Sequence, residues 1–269
     1  VAACAQERYS HDKHSRLFPI DAIYDCLKIG KLKINEITEI AFVNDIKLLL
    51  REIYFRPALE SDERLNYFFS DLDKIKFAYN TKNLIKDKLK YNGKINFYRH
   101  HLCHIASAYY PSGFKDALCI SIDGRGEYET GMIAVGKRGK LKIVNNENVY
   151  PHSIGLLYSA VTNYLGWRHH CDEGIVMGLA PYGNPNKIIP GNKKSYADIF
   201  KKILIEKGKT GYQINLDLID FYTKRDKWVT EKFISIFGNK RKPNEKITNH
   251  HRNIAAALQL RIEEVILKQ

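Results

Sequence analysis

Three histidines crowd the stretch FYRHHLCHIASAYY at residues 97–110. If that stretch is helical, His100 and His104 lie one turn apart on one face, and His101 points elsewhere. Two imidazoles so placed can share a metal ion, and at the same spacing they also serve as capping or core groups. Asp123 bears on the choice. It follows the apolar run DALCISI (116–122), a predicted buried strand, at the end where loops of an open sheet gather around a ligand. A carboxylate there would complete a two-histidine, one-carboxylate set with open positions for substrate. The alternative is a turn aspartate before Gly124, which is common. In DGRGE, Gly124 and Gly126 let the backbone approach closely, and their amides can face a phosphate.

A second glycine-rich segment, DEGIVMGLAPYG, places Asp172, Glu173 and Gly174 near another backbone-exposing loop, or else connects two helices. His169, His170 and Cys171 are not read as a zinc site, because adjacent loop residues seldom converge on one ion and no partner pair accompanies them. The chain contains neither a GxSxG serine signature nor a Walker P-loop. Any catalysis would rest on a metal and positioned backbone donors rather than on a covalent nucleophile.

The elements that must position these residues are legible in outline. Residues 21–30 have apolar groups at helical spacing and a glycine stop. ITEIAFVND reads as a short buried strand, and Asp45 to about Asn92 reads as helical, with Pro57 as a helix-start signal. DALCISI and TGMIAVGKRGKLKIV predict an antiparallel hairpin whose first turn carries Asp123, Gly124, Gly126 and Glu127, with two strands around GKRGK. Residues 153–167 predict a helix capped by Ser153, followed by a glycine-rich turn. Residues 184–250 are polar, lysine-rich and weakly periodic, and are expected to form a peripheral insertion. The C-terminal NIAAALQLRIEEVILKQ is helical in pattern. Mixed strands and helices in this order predict an α/β fold with antiparallel hairpins.

Composition bounds the function. The 269 residues suffice for one large domain or two small ones, and 44% hydrophobic with 27% charged residues is a globular balance. No apolar run approaches the roughly 20 residues that span a bilayer, and VAACAQERYS lacks the order of a signal peptide. The five cysteines are scattered without a CxxC pair, which suits reduced thiols and a cytoplasmic location; Cys119 lies in an apolar run. The net charge of +13 would suit nucleic acid, but it is spread and no basic-aromatic module accompanies it. A start without Met and an end within a helical pattern suggest a fragment cut at both ends.

Taken together, AACAQERYSHDKHSRLFPIDAIYDCL, HHLCHIASAYYPSGF, SIDGRGEYETG, SIGLLYSAVTNYLGW, EGIVMGLAPYG and NIAAALQ resemble the O-carbamoyltransferases of the nodulation, cephalosporin and aminoglycoside type. The likeness covers residues 1–183 and resumes at about 250. It implies an incomplete actin-like, sugar-kinase-like ATPase fold, with a ribonuclease H-like sheet, antiparallel hairpins and flanking helices. It also implies that residues 1–269 are the N-terminal transfer domain of a protein whose separate C-terminal domain makes carbamoyl adenylate from carbamoyl phosphate and ATP. The resemblance implies a divalent metal, usually iron, on His100, His104 and Asp123, with the carbamoyl group passing to a hydroxyl of a small-molecule or sugar acceptor. It places Gly124, Arg125, Gly126 and Glu127 beside the phosphate or carbamoyl end of the adenylate. Ser153, Gly155, Glu173 and Gly174 would border it. Ile175 stands where the family carries lysine, which removes a cation that could neutralise phosphate. A tRNA threonylcarbamoyladenosine-type transferase of the same fold, and a non-catalytic nucleotide-binding module, are the alternative readings.

Overall fold

The apolar spacing of DAIYDCLKIG folds as helix α1 (Ile20–Gly30), which stops where Lys31 turns left-handed and returns its N–H to the carbonyls of Leu27 and Lys28. The computed structural model describes every residue except His14, Arg16, Asn146 and 223–226. It comprises two units, Val1–Arg99 and His100–Gln269. In the first, strand β1 (Glu39–Phe42) pairs in parallel with β2 (Lys94–Phe97), bringing Ile40 opposite Ile95 and Phe42 opposite Phe97. A parallel pair needs a long crossover, supplied here by the helical text between them: α2 (Asp62–Ser70), α3 (Leu72–Tyr79) and α4 (Thr81–Leu89). Pro57 sits in the first turn of a short helix, Arg56–Ala58, and α2 starts separately on Ser61, whose hydroxyl accepts the Arg64 N–H. Ile85, Leu89, Tyr91 and Ile95 form the buried centre of this unit.

The second unit opens with α5 (His100–Tyr109) and an antiparallel meander of β3 (Asp116–Ile122), β4 (Gly131–Lys137) and β5 (Lys140–Asn145), in spatial order β3-β4-β5. The predicted hairpins form as expected, with Ile122 opposite Gly131 and Lys137 opposite Lys140. Arg138 and Gly139, both at positive φ (49° and 74°), make the two-residue turn that suits the twist of the strands. Helix α5 lays His101, Ile105 and Tyr109 against the sheet, beside Cys119, Met132 and Ala134. A Cβ on Gly136 would stand 2.4 Å from the Tyr109 ring, so glycine there lets the tyrosine lie flat on β4.

Helices α6 (Ile154–Tyr164), α7 (Glu173–Leu179), α8 (Tyr196–Ile203), α9 (Glu231–Phe237) and α10 (Asn249–Lys268), with the strand pair β6 (Leu204–Lys207) and β7 (Gly211–Ile214), complete the unit. Two expectations are corrected here. The glycine-rich turn expected at DEGIVMGLAPYG is instead helix α7 followed by a 3-10 turn at Ala180–Tyr182. Val176 and Ala180, four residues apart, are buried, while Gly174 and Gly178 face open space, so burial of one stripe overrides their weak helix propensity.

Nor are residues 184–250 peripheral. Tyr196, Phe200, Ile203, Ile214, Phe233 and Phe237 join Leu157, Val161 and Leu258 in the largest core of the molecule. Lys201, Lys202, Lys207 and Lys232 lie on the exposed faces of α8, β6 and α9, which hides the inner stripe in a composition average. Buried Arg261 fastens α10 to β6, donating from Nε to the Leu204 carbonyl (2.9 Å) and pairing with Glu206 and Glu264. No helix among the described residues is long and apolar enough to cross a membrane.

Candidate metal centre

Helix α5 begins at His100 because a carboxylate waits for it. The His100 N–H donates to both Glu127 oxygens, at 3.1 and 3.2 Å, and wholly buried Glu127 thereby meets the positive end of the helix. The approach is close enough that a Cβ on Gly126 would stand 2.9 Å from His100 Cβ. Glycine at 126 is therefore a packing requirement. With His101 turned inward, His100 and His104 fall on the neighbouring outer face, 25% and 52% exposed at the side chain.

Asp123 follows the last residue of β3. Its N–H donates to the Thr130 carbonyl (3.3 Å) and the Gly126 N–H to the Glu129 carbonyl (2.8 Å), which closes the turn on itself. The start of α6 holds the turn from the other side. Ser153, fully buried, accepts the Leu156 N–H at 3.0 Å as the N-cap and donates its hydroxyl to the Gly124 carbonyl at 2.7 Å. Gly155 lies so near that a Cβ would come within 2.5 Å of the Asp123 carbonyl carbon. Ser153→Ala should lower unfolding free energy by about 1 kcal/mol for the lost cap, with a further loss for the Gly124 carbonyl, read by urea denaturation. An unchanged midpoint would contradict this account.

These supports bring three donor atoms together. His100 Nε2 lies 2.7 Å from Asp123 Oδ2, His104 Nε2 3.3 Å from the same oxygen, and the two nitrogens are 3.0 Å apart. The rings meet edge to face at 89°. Two Nε2 atoms 3.0 Å apart beside a carboxylate oxygen can be joined by a hydrogen bond in one tautomer, or their lone pairs can share a metal ion. A first-row ion with bonds of about 2.1 Å holds neighbouring donors about 3.0–3.4 Å apart, and the nitrogen and His104 separations fall in that range. Among the described residues this is the set of His, Cys, Asp and Glu side chains that could hold an ion. Burial alone would raise the Asp123 pKa, but hydrogen bonds and charge from His100 and His101 overrule it and hold the carboxyl well below the usual range. It is therefore an anion across the physiological range, the state a ligand needs.

The remaining expected residues divide. Arg125 is exposed and stacks its guanidinium over Tyr150, 5.2 Å from the ring centre. Glu173 accepts the Ser159 hydroxyl and the His170 N–H, both at 2.6 Å, at the start of α7. Gly174 is exposed with open space at its Cα. His169 and His170 lie against Trp228, with ring centres 4.5 and 5.3 Å away. Sequence reasoning missed Ser121, Thr130 and Tyr212. Thr130 Oγ1 donates to the His152 carbonyl and lies 3.2 Å from the Tyr212 hydroxyl, whose pKa burial pushes up to about 12. Ser121 was findable: it shares the inward face of β3 with Cys119, where a polar residue needs a partner.

Comparison with known proteins gives the chain its family. The family model described as "Carbamoyltransferase N-terminus" matches residues 1–269. Uncharacterized protein sll1178 of Synechocystis sp. is 30% identical over 284 residues, covering 100% of this chain and 44% of that protein. Nodulation protein NolNO of Sinorhizobium fredii is 28% identical over 99% of this chain and 35% of its own length. Nodulation protein NolO of Bradyrhizobium diazoefficiens is 32% identical over 62% of this chain and 27% of its own length. The chain thus spans less than half the length of these curated relatives. With a family model matched from its first residue to its last, the chain belongs to the carbamoyltransferases and corresponds to their N-terminal region.

Proposed function

We propose that this chain is the transfer region of an O-carbamoyltransferase, moving a carbamoyl group from carbamoyl adenylate to a hydroxyl of a small-molecule or sugar acceptor. The observation that carries the reading is the convergence of His100 Nε2, His104 Nε2 and Asp123 Oδ2 on one point of the surface. Those three residues would hold a divalent metal, iron by family likeness. When bound, the ion supplies a Lewis acid toward the carbamoyl carbonyl.

The chain's own residues supply position and electrostatics. Glu127, Ser153 and Gly155 fix the turn and the start of α5, so the donors meet without rearrangement. Gly124 and exposed Arg125 border the cluster, where a cation and a close backbone suit a phosphate. Under this reading Gly126 serves the close approach of α5, and Glu173 with Gly174 lines the approach from α7. The antiparallel meander carrying an acidic turn supports an actin-like, sugar-kinase-like fold. Carbamoyl phosphate and ATP would be consumed by a domain elsewhere in the protein, consistent with the greater length of the relatives.

The test is release of AMP from carbamoyl adenylate by the full-length protein in the presence of hydroxyl acceptors, before and after chelation. Acceptor-dependent AMP release that is lost on chelation and regained with Fe²⁺ is expected. No release with any acceptor, together with tRNA binding that falls steeply with salt, would instead favour the threonylcarbamoyl reading.

A further inference from the structure

Resting on the metal reading, we infer that His101 is a positioning residue that takes one carboxylate oxygen of Asp123, so that Asp123 binds a cation through the other oxygen alone. His101 is fully buried between the sheet and the turn. Its Nε2 faces two groups that can only accept: the Glu129 carbonyl at 3.0 Å and Asp123 Oδ1 at 3.3 Å. That nitrogen therefore carries the proton. Its Nδ1 lies 2.8 Å from Ser121 Oγ, and in the neutral ring it accepts the serine hydroxyl proton. The hydrogen bonds thus run from Ser121 through His101 to the Glu129 carbonyl, which leaves a single tautomer and sets the same N–H in ion-pair reach of Asp123 Oδ1, 3.3 Å away.

Asp123 Oδ1 is shut off from solvent. Oδ2, by contrast, faces His100 and His104. Room for the buried imidazole depends on glycine, since a Cβ on Gly126 would stand 3.2 Å from His101 Cδ2. A carboxylate held in this way cannot swing to chelate through both oxygens. The chain then offers a cation three donors on one side and leaves its other positions open for a substrate oxygen.

The test is Co²⁺ binding to the full-length protein, with Kd taken from competition with a chromogenic chelator and folding checked by circular dichroism of the metal-free variants. Ser121→Ala and His101→Ala should each weaken Co²⁺ by about 10–100-fold, the usual effect of losing a group behind a ligand. His101→Gln keeps an N–H near the Nε2 position and should recover most of that loss. Folded Ser121→Ala or His101→Ala protein with wild-type Kd overturns the inference, as does a folded His101→Gln no better than His101→Ala. Should His101→Ala fail to fold, Ser121→Ala decides alone. Wild-type protein that binds no Co²⁺ overturns the metal reading itself and this inference with it, an outcome distinct from equal binding by all variants.

Discussion

If His100, His104 and Asp123 hold a metal as proposed, Asp123→Ala in the full-length protein is expected to empty the centre, with His100→Ala and His104→Ala close behind. Each removes one of three converging donors, so the fall in affinity should exceed the about 10–100-fold associated with outer partners. Metal analysis after dialysis reads it directly. His104→Ala is the cleanest of the three, because that side chain is 52% exposed and its removal leaves no buried cavity. Stoichiometric metal in folded His104→Ala protein would remove it from the ligand set. Asp123 carries a second signature. Its folded pKa lies below its unfolded value, so the stability it contributes is complete above about pH 4 and is lost as pH falls through the folded value. Metal-free wild type should therefore lose more stability on acidification than metal-free Asp123→Ala.

Gly155→Ala should be the most damaging single-methyl change in the site. A Cβ there would lie 2.5 Å from both the Asp123 carbonyl carbon and the Gly124 nitrogen, and 2.6 Å from the Asp123 oxygen. These are backbone atoms of a turn held by Ser153 and Thr130, and none can swing aside. Helix propensity pulls the other way, favouring alanine by up to about 1 kcal/mol. Overpacking against rigid neighbours costs about 1–3 kcal/mol and occasionally more, so packing should win, with a net loss of roughly 2 kcal/mol. Because the displaced atoms belong to Asp123, metal affinity should fall with the melting temperature. Gly174→Ala is the matched control: its Cβ would meet nothing within 4 Å, so α7 should be unharmed or slightly stabilised. Gly155→Ala protein that melts no lower than wild type would show that the turn yields where the packing says it cannot.

Much of the three-donor cluster is legible in the sequence. The four-residue step from His100 to His104 and the abrupt end of DALCISI at Asp123 are local signals, set by helix pitch and strand burial. What was hidden is non-local. Glu127 reads as a ligand-facing carboxylate in DGRGE, yet it closes a helix 27 residues earlier, a partnership that only the tertiary approach of α5 creates. Tyr212 sits in a lysine-rich tract with weak periodicity, and its hydroxyl reaches Thr130 across 82 positions. Helix α7 was misread because Gly174 and Gly178 score as breakers, whereas they lie on its solvent side and Val176 decides its state. Ile175, where the family likeness carries lysine, is 47% exposed on that helix, so the substitution alters a surface rather than the core.

The double hold on His100 has a consequence for how the site would meet the proposed ion. One short turn grips the residue twice, by its backbone N–H through Glu127 and by its ring through Asp123. The donors are thus preorganised by the fold instead of being assembled by the ligand, unlike small domains whose metal and folding free energies are the same quantity. Loading the ion should leave secondary structure untouched, and the conformational entropy of bringing the donors together is already spent when the chain folds.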